Sequence, residues 1–233
     1  RTKQELSRFS DTPSGTVRIG VTPSLGRVLV PSLLERCADR FPEINLLFSQ
    51  GFSDQLDVEL AQRVIDFAHT HTNLENERIE SIPLYIEPLF LIGVPEMIPS
   101  GTEPVELESL SDFPLALDER SQEMRRVLDG EIAKSGKSFE NVAEIQSINI
   151  RRELVVQGRR GSIAPFALFA TEIKSGLLVA REVSLKADDR TVHLTGPRVE
   201  KMTSAESAVR TMIIELVDKS ISKNRFGWRM PQS

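Results

Sequence analysis

The chain has 233 residues, 39% hydrophobic and 27% charged, and a formal net charge of −5. That is the composition of a soluble globular protein with room for one large domain or two smaller ones, and its acidic balance argues against a chain that itself wraps DNA or coats an anionic membrane. The single cysteine, Cys37, rules out an internal disulfide, and no apolar run approaches the ~20 residues of a membrane span.

The polar opening RTKQELSRFSD reads as the end of a connecting helix, stopped by the turn cluster Thr12-Pro13-Ser14-Gly15. Arg1 rather than Met opens the chain and no signal peptide is visible, so a fragment is expected. From Thr16 the segments TVRIGV, PSLLERCADRF, INLLFSQ, SDQLDVELAQR and IDFAH alternate between strand and helix. Leu34, Cys37, Ala38 and Phe41, and then Leu56, Leu60 and Val64, recur at helical intervals. Such alternation predicts a parallel sheet covered on both faces. Pro31 lies within the first helical pattern, so that helix is expected to start or kink there. Cys37, among Leu33, Leu34, Ala38 and Phe41, reads as a core thiol.

Between the first strand and its helix lies a loop of small hydroxyl residues, Thr22, Pro23 and Ser24, followed by Gly26. A helix start exposes unpaired N–H groups and positive partial charge, which makes this loop a natural anion cradle. The competing reading is that Thr22 and Ser24 simply cap the helix. A nucleotide P-loop is excluded, because no Gly-Lys-Ser/Thr follows Gly20 or Gly26.

The stretch RIESIPLYIEPLFLIGV reads as extended, interrupted by Pro83 and Pro88. A second alternation then runs through PLALD, SQEMRRVLDGEIAKSG, NVAEIQ, SINIRRELVVQG, GSIAP, FALFATEIKSG and LLVAREV to TVHLTG. The last helix, TSAESAVRTMIIELVDKSI, opens on a capping box of Thr203 and Glu206. Its apolar stripe comprises Ala205, Ala208, Val209, Met212, Ile213, Leu216, Val217 and Ile221. Two alternating blocks predict two α/β lobes with a cleft between them, and ligands in such sheets sit at the carboxyl ends of strands.

Several clusters invite a chemical reading. His69 and His71 would share one side of a strand, but zinc needs three or four ligands and no other Cys, His or Asp cluster lies nearby, so no metal is expected. His71 is better placed to hydrogen-bond or to switch charge opposite an anion. The pairs Arg151-Arg152 and Arg159-Arg160 read as a solvated helix face and its end; the alternative is that Arg159 or Arg160 grips a carboxylate. Phe226 and Trp228 in the tail either dock on the surface or belong to a self-association patch. With three histidines, no GxSxG elbow and no zinc motif, the chain is not expected to be an enzyme or to carry a cofactor.

The patterns GTVRIGVTPSL, VPSLLER, FPEINL, IDFA, EPLFLI and ELVVQGRRGSIAP, in that order and spacing, resemble the effector-binding domain of LysR-type transcriptional regulators from Gly15 to about Val217. The resemblance implies an α/β, two-lobed fold of the periplasmic-binding-protein type II, each lobe a mostly parallel sheet flanked by helices and joined by two crossover strands. It places the end of the linker helix at 1–14, lobe I at 15–87 and 195–233, and lobe II at 88–194. By position it implies effector contacts from Thr22, Ser24 and Leu25, from Gly51 and Phe52, and from His69 through His71, with His71 the residue singled out. In the second lobe it implies contacts from Asp118 through Ser121, from Gln146 and Ser147, and from Ser162. Two departures stand out: Arg160 occupies the place of a usual glycine in GRRGSIAP, and histidines replace the usual small or apolar residues in DFAHTHT. The implied partners are a small anionic effector, further copies of the chain as dimer and tetramer, and DNA reached only through an N-terminal winged helix-turn-helix. A cytoplasmic protein with no membrane partner is expected. A solute-binding protein of a transport system, or an enzyme on the same fold, would be the alternatives.

Overall fold

A computed structural model describes residues 12–185 and 190–231. The opening segment RTKQELSRFSD, and with it most of the expected linker helix at 1–14, lies outside the described residues. The chain divides into unit 1, Arg1–Glu87 with Arg190–Ser233, and unit 2, Pro88–Asp189.

Unit 1 begins with β1 (Gly15–Val21), α1 (Pro23–Arg40), β2 (Ile44–Gln50), α2 (Ser53–Ala61), β3 (Phe67–Thr70) and β4 (Ile79–Ile86). It is completed by β11 (Thr191–Pro197) and α6 (Ser204–Ser222). Its sheet has the order β2-β1-β3-β11-β4; β1 runs parallel to β2 and β3, while β11 is antiparallel to both its neighbours. Gly20 of β1 lets α2 approach closely: an added Cβ would lie 2.5 Å from the end of the Ile65 side chain and 2.8 Å from that of Leu56, both of which would have to shift.

The first helix starts at Pro23, not at Pro31. Pro23 needs no hydrogen-bond partner for its nitrogen in the first turn, and the helix continues through Pro31. Its buried seam is therefore Leu25, Leu29, Leu33 and Cys37, one residue back from the expected stripe, and Leu34 is 45% exposed. Val64 is also 52% exposed, because α2 ends at Ala61 and Arg63 turns the chain with φ of 60°. The capping box of α6 forms as expected: Glu206 N–H donates to Thr203 Oγ1 at 3.2 Å, and Thr203 N–H donates to Glu206 Oε2 at 2.6 Å. α6 packs against α1, burying Ala205, Val209, Met212, Ile213 and Val217, and its Glu215 takes Arg36 at 2.8 Å and Arg40 at 3.0 Å.

The tail docks rather than standing free. Trp228 stacks on Tyr85 of β4 with ring centroids 4.0 Å apart, and Ile86 and Arg229 exchange backbone hydrogen bonds of 2.8 and 3.2 Å.

Unit 2 contains β5 (Leu89–Gly93), β6 (Val105–Glu106), β7 (Leu115–Leu117), α3 (Glu123–Ala133), β8 (Val142–Glu144), α4 (Ile148–Val156), β9 (Ser162–Pro165), α5 (Ala170–Lys174) and β10 (Val179–Ser184). Four strands take the order β6-β10-β5-β9, and β7 pairs with β8 in parallel. The period of two along β5 and β9 sends Leu89, Leu91 and Ile163 into one core with Leu115, Leu117 and Leu128, and Ile92 and Ala164 into another with Val155 and Phe169. The sheet is thus covered on both faces, as its near-continuous apolar strands require.

The five- and four-stranded sheets are mixed, and the two-stranded sheet β7-β8 is parallel. Parallel pairs arise where a helix carries the chain back, as in β1-α1-β2 and β7-α3-β8. Antiparallel ladders come from β4, β5, β10 and β11, the strands that flank the two passages between units. All of β11 belongs to unit 1, because it pairs along its length with β4 and also with β3; the return therefore falls at Arg190 rather than at 195. Among the described residues no helix is long and apolar enough to cross a membrane.

Candidate functional site

In unit 1 the strand order β2-β1-β3 brings three parallel carboxyl ends side by side. After β1, Thr22 is the N-cap residue of α1 with extended φ and ψ of −70° and 157°, yet its side chain makes no cap hydrogen bond. Its hydroxyl instead lies 3.3 Å from the Ser24 hydroxyl, and both residues are buried. The capping reading of this pair is thus not the arrangement adopted. The turn is held by its backbone, with Gly26 N–H donating to the Thr22 carbonyl at 2.8 Å. Leu25 is buried among the seam residues of α1.

After β2, Gly51 N–H donates to the Val21 carbonyl at 3.2 Å and ties the ends of β1 and β2 together. Phe52, half-buried, is the N-cap residue of α2, and the buried Ser53 occupies the first helical position. At the end of β3, the buried Thr70 donates to Asp57 Oδ1 at 3.3 Å and accepts from Thr72 N–H. Ser53 and Thr70 were missed in sequence reasoning. Their signal was the recurrence of Ser or Thr wherever a strand hands over to a helix or loop.

The two histidines, read as sharing one side of a strand, have different surroundings. His69 lies inside the sheet, 1% exposed, and its pKa is held well below 6.5 by burial and then by the nearby His71 and His193. His71 lies beyond the strand end, its Nε2 3.4 Å from Glu87 Oε2 and 3.1 Å from Arg190 Nη2. Arg190 in turn is 3.7 Å from Glu87, so His71 lies against an ion pair built on the residues where the chain leaves and re-enters unit 1. Among the described residues no group of three or more His, Cys, Asp or Glu side chains could hold a metal ion.

In unit 2 the end of β7 presents Asp118, 3% exposed, with Arg151 Nη1 2.6 Å from its Oδ1. Arg151 is 1% exposed, which corrects its reading as a solvated residue. It lies on the first turn of α4, whose N-cap residue Ser147 accepts from Ile150 N–H at 3.4 Å. The equally buried Arg125 of α3 donates to the Asp118 carbonyl at 3.1 Å and to Asp129 Oδ1 at 2.9 Å. Ser121 and Gln146 are exposed, the Ser121 carbonyl accepting from Arg126.

Ser162 has a structural tie as well. Fully buried in β9, it donates to the Ala116 carbonyl at 2.8 Å, so its hydrogen is used in tying β9 to β7. The neighbouring turn explains this: Gly161 is wedged against Phe113 and the Ile92 carbonyl, too close for any Cβ. Arg160 is likewise structural, donating from Nη1 to the Leu115 carbonyl and to the carbonyl and side chain of Asn141 at 2.9–3.2 Å. Arg152 pairs with Glu172.

Comparison with known proteins gives this arrangement a context. The family model described as LysR substrate binding domain matches residues 10–218. The HTH-type transcriptional regulator BbuR of Bordetella bronchiseptica is 28% identical over 184 residues, which are 77% of this chain and 55% of that protein. The chain thus spans about half the length of this curated relative. The effector binding domain of QuiR in complex with shikimate has a TM-score of 0.69 at 18% identity, covering 88% of this chain and 98% of that one. A full-length OxyR variant from Pseudomonas aeruginosa has a TM-score of 0.72 at 17% identity, covering 93% and 78%.

Proposed function

We propose that this chain, which belongs to the LysR substrate binding domain family, senses a small organic anion and passes its occupancy to a DNA-reading part of a transcription regulator. The observation that carries this reading is the group of strand ends in unit 1. There Thr22 and Ser24, whose hydroxyls lie 3.3 Å apart, the buried Ser53 and Thr70, and the starts of α1 and α2 stand at the ends of three adjacent strands. Two helix starts at adjacent strand ends, each with buried hydroxyl residues, favour negative charge over neutral or cationic ligands. Phe52 offers an apolar face beside them. Unit 2 adds a second set of strand-end groups, Asp118, Ser121, Gln146 and Ser147. The QuiR domain, similar in fold, is in complex with shikimate, and an organic acid of that size is the class of effector proposed here.

A ligand can regulate only through different affinities for two conformations of the protein. A coupling of ~1–3 kcal/mol between effector and DNA is the ordinary scale. DNA contact is assigned to a winged helix-turn-helix of the whole protein and not to this acidic chain, and association into dimers and tetramers is assigned to the same regulator. The family supports a regulator rather than a catalyst.

Calorimetric titration of the chain with a panel of organic acids tests the reading. Ser24→Ala is expected to weaken the best ligand by about 1–2 kcal/mol, the scale of a lost hydrogen bond to a charged group. Unchanged affinity would remove the β1–α1 loop from the site.

A further inference from the structure

Unit 2 holds a buried cation whose bonding is incomplete. Arg151 Nη1 is in ionic contact with Asp118 Oδ1 at 2.6 Å, but neither atom makes a directed hydrogen bond, and Arg151 Nε has no partner either. Guanidinium and carboxylate normally meet as a two-toothed fork with both N–H groups aligned on both oxygens. Here one misaligned contact stands in for that fork, although both residues are almost wholly buried. Leaving donors of a buried charge unsatisfied is costly, and such groups concentrate where a ligand completes them.

The surroundings say which ligand suits. The main chain at Asp118 is pinned independently of its side chain: its carbonyl accepts from Arg125, and the Leu117 carbonyl accepts from Ile145 N–H at 2.9 Å. The Asp118 carboxylate can therefore swing away without unravelling β7. Arg125 is occupied by Asp129 at 2.9 Å and Glu144 at 3.5 Å, and Arg120 is 3.2 Å from Glu144. Arg120 and Arg125 are thus already paired with carboxylates, and those carboxylates oppose a second negative charge beside Arg151.

We infer that Arg151 is the carboxylate receptor of unit 2, and that Asp118 occupies it as an internal substitute which a carboxylate ligand displaces. The inference rests on the effector-sensing reading and names the chemical class of ligand: a monoanion that presents two coplanar oxygens. Binding exchanges one carboxylate for another on the same cation, so the buried charge stays balanced throughout. Specificity follows, because the ligand must outcompete a group already tethered beside the receptor.

The experiment titrates the whole chain with benzoate, acetate and sulfate, and follows melting temperature with and without each anion. Four variants are compared with the unmodified chain: Asp118→Asn, Arg151→Gln, Arg151→Lys and Ser24→Ala. Removing the internal competitor is expected to tighten benzoate in Asp118→Asn by about tenfold, and Arg151→Gln to weaken it by about tenfold or more. Without anion, Asp118→Asn should melt lower, since Arg151 is then buried unpaired, and benzoate should restore the loss. If Arg151→Gln does not fold, the tightening in Asp118→Asn and the weakening in Arg151→Lys decide instead. Unchanged or weakened binding in Asp118→Asn overturns the inference, as does equal tightening of sulfate, which would mark a receptor for any oxyanion. Benzoate binding that is lost in Ser24→Ala but indifferent to Asp118 and Arg151 overturns it while leaving the sensor reading intact. If none of the three anions binds either the unmodified chain or Asp118→Asn, the inference falls, while the panel of organic acids decides the sensor reading separately.

Discussion

His69 shows how a single side chain can set the acid stability of the sheet. Both of its ring nitrogens are buried without a hydrogen-bond partner, its ring stacks 5.6 Å from Tyr85, and burial holds its pKa well below 6.5. His193 is also lowered, by burial and then by His71. In the unfolded chain both take up protons near pH 6.5, whereas in the folded chain both resist. Their contribution is therefore complete above about pH 6.5 and is lost as the pH falls toward the depressed folded values. Urea midpoints measured from pH 7.5 down to 5 should decline below 6.5, and His69→Phe should flatten the decline by keeping the ring and removing the proton site. An unaltered slope in that variant would place the acid sensitivity elsewhere. Arg151 belongs to the same scale. Two adjacent arginines on a helix look alike in sequence, and Asp118, distant along the chain, is what sends the first of them inward.

At the scale of an element, α1 separates what was legible from what was not. The helix itself, its end at Phe41 and the core position of Cys37 follow from spacing, and burial raises the thiol pKa of Cys37 as that position requires. Its phase did not follow, because Pro31 suggested a start where the helix runs on. Leu33→Ala should cost ~2–5 kcal/mol as a fully buried large-to-small change, while Leu34→Ala should stay within ~0.5 kcal/mol. Chemical denaturation of the two variants measures both, and equal losses would return the seam to the expected register. The capping box of α6 was readable because all its parts lie within four residues. The hydroxyl loop was readable as a strand-to-helix junction, but its partners Ser53 and Thr70 come from other junctions and join it only through strand order. Ser162 reads as a site residue from its place in a motif, and the bond it donates to the Ala116 carbonyl, which spans two strands, has no signal in that motif.

At the scale of the whole molecule, alternation of strand and helix announced two α/β blocks, and two blocks are present. Strand direction was less accessible, since the antiparallel ladders depend on where β11 inserts, a pairing between residues far apart in sequence. That insertion bears on the order in which the protein can be made. Unit 2 is one uninterrupted stretch, whereas unit 1 cannot join β4 to its sheet until β11 has been synthesised, nor cover α1 until α6 follows. Of the two units, the one that begins to emerge from the ribosome first is thus the last to finish folding, and during translation it waits with an open strand edge while its neighbour closes. Residues 88–189 produced alone should give a cooperatively melting domain, and residues 1–87 alone should not. The protein's most exposed moment is therefore its own synthesis, when the half that carries the hydroxyl loop has been written but has nothing to lean on.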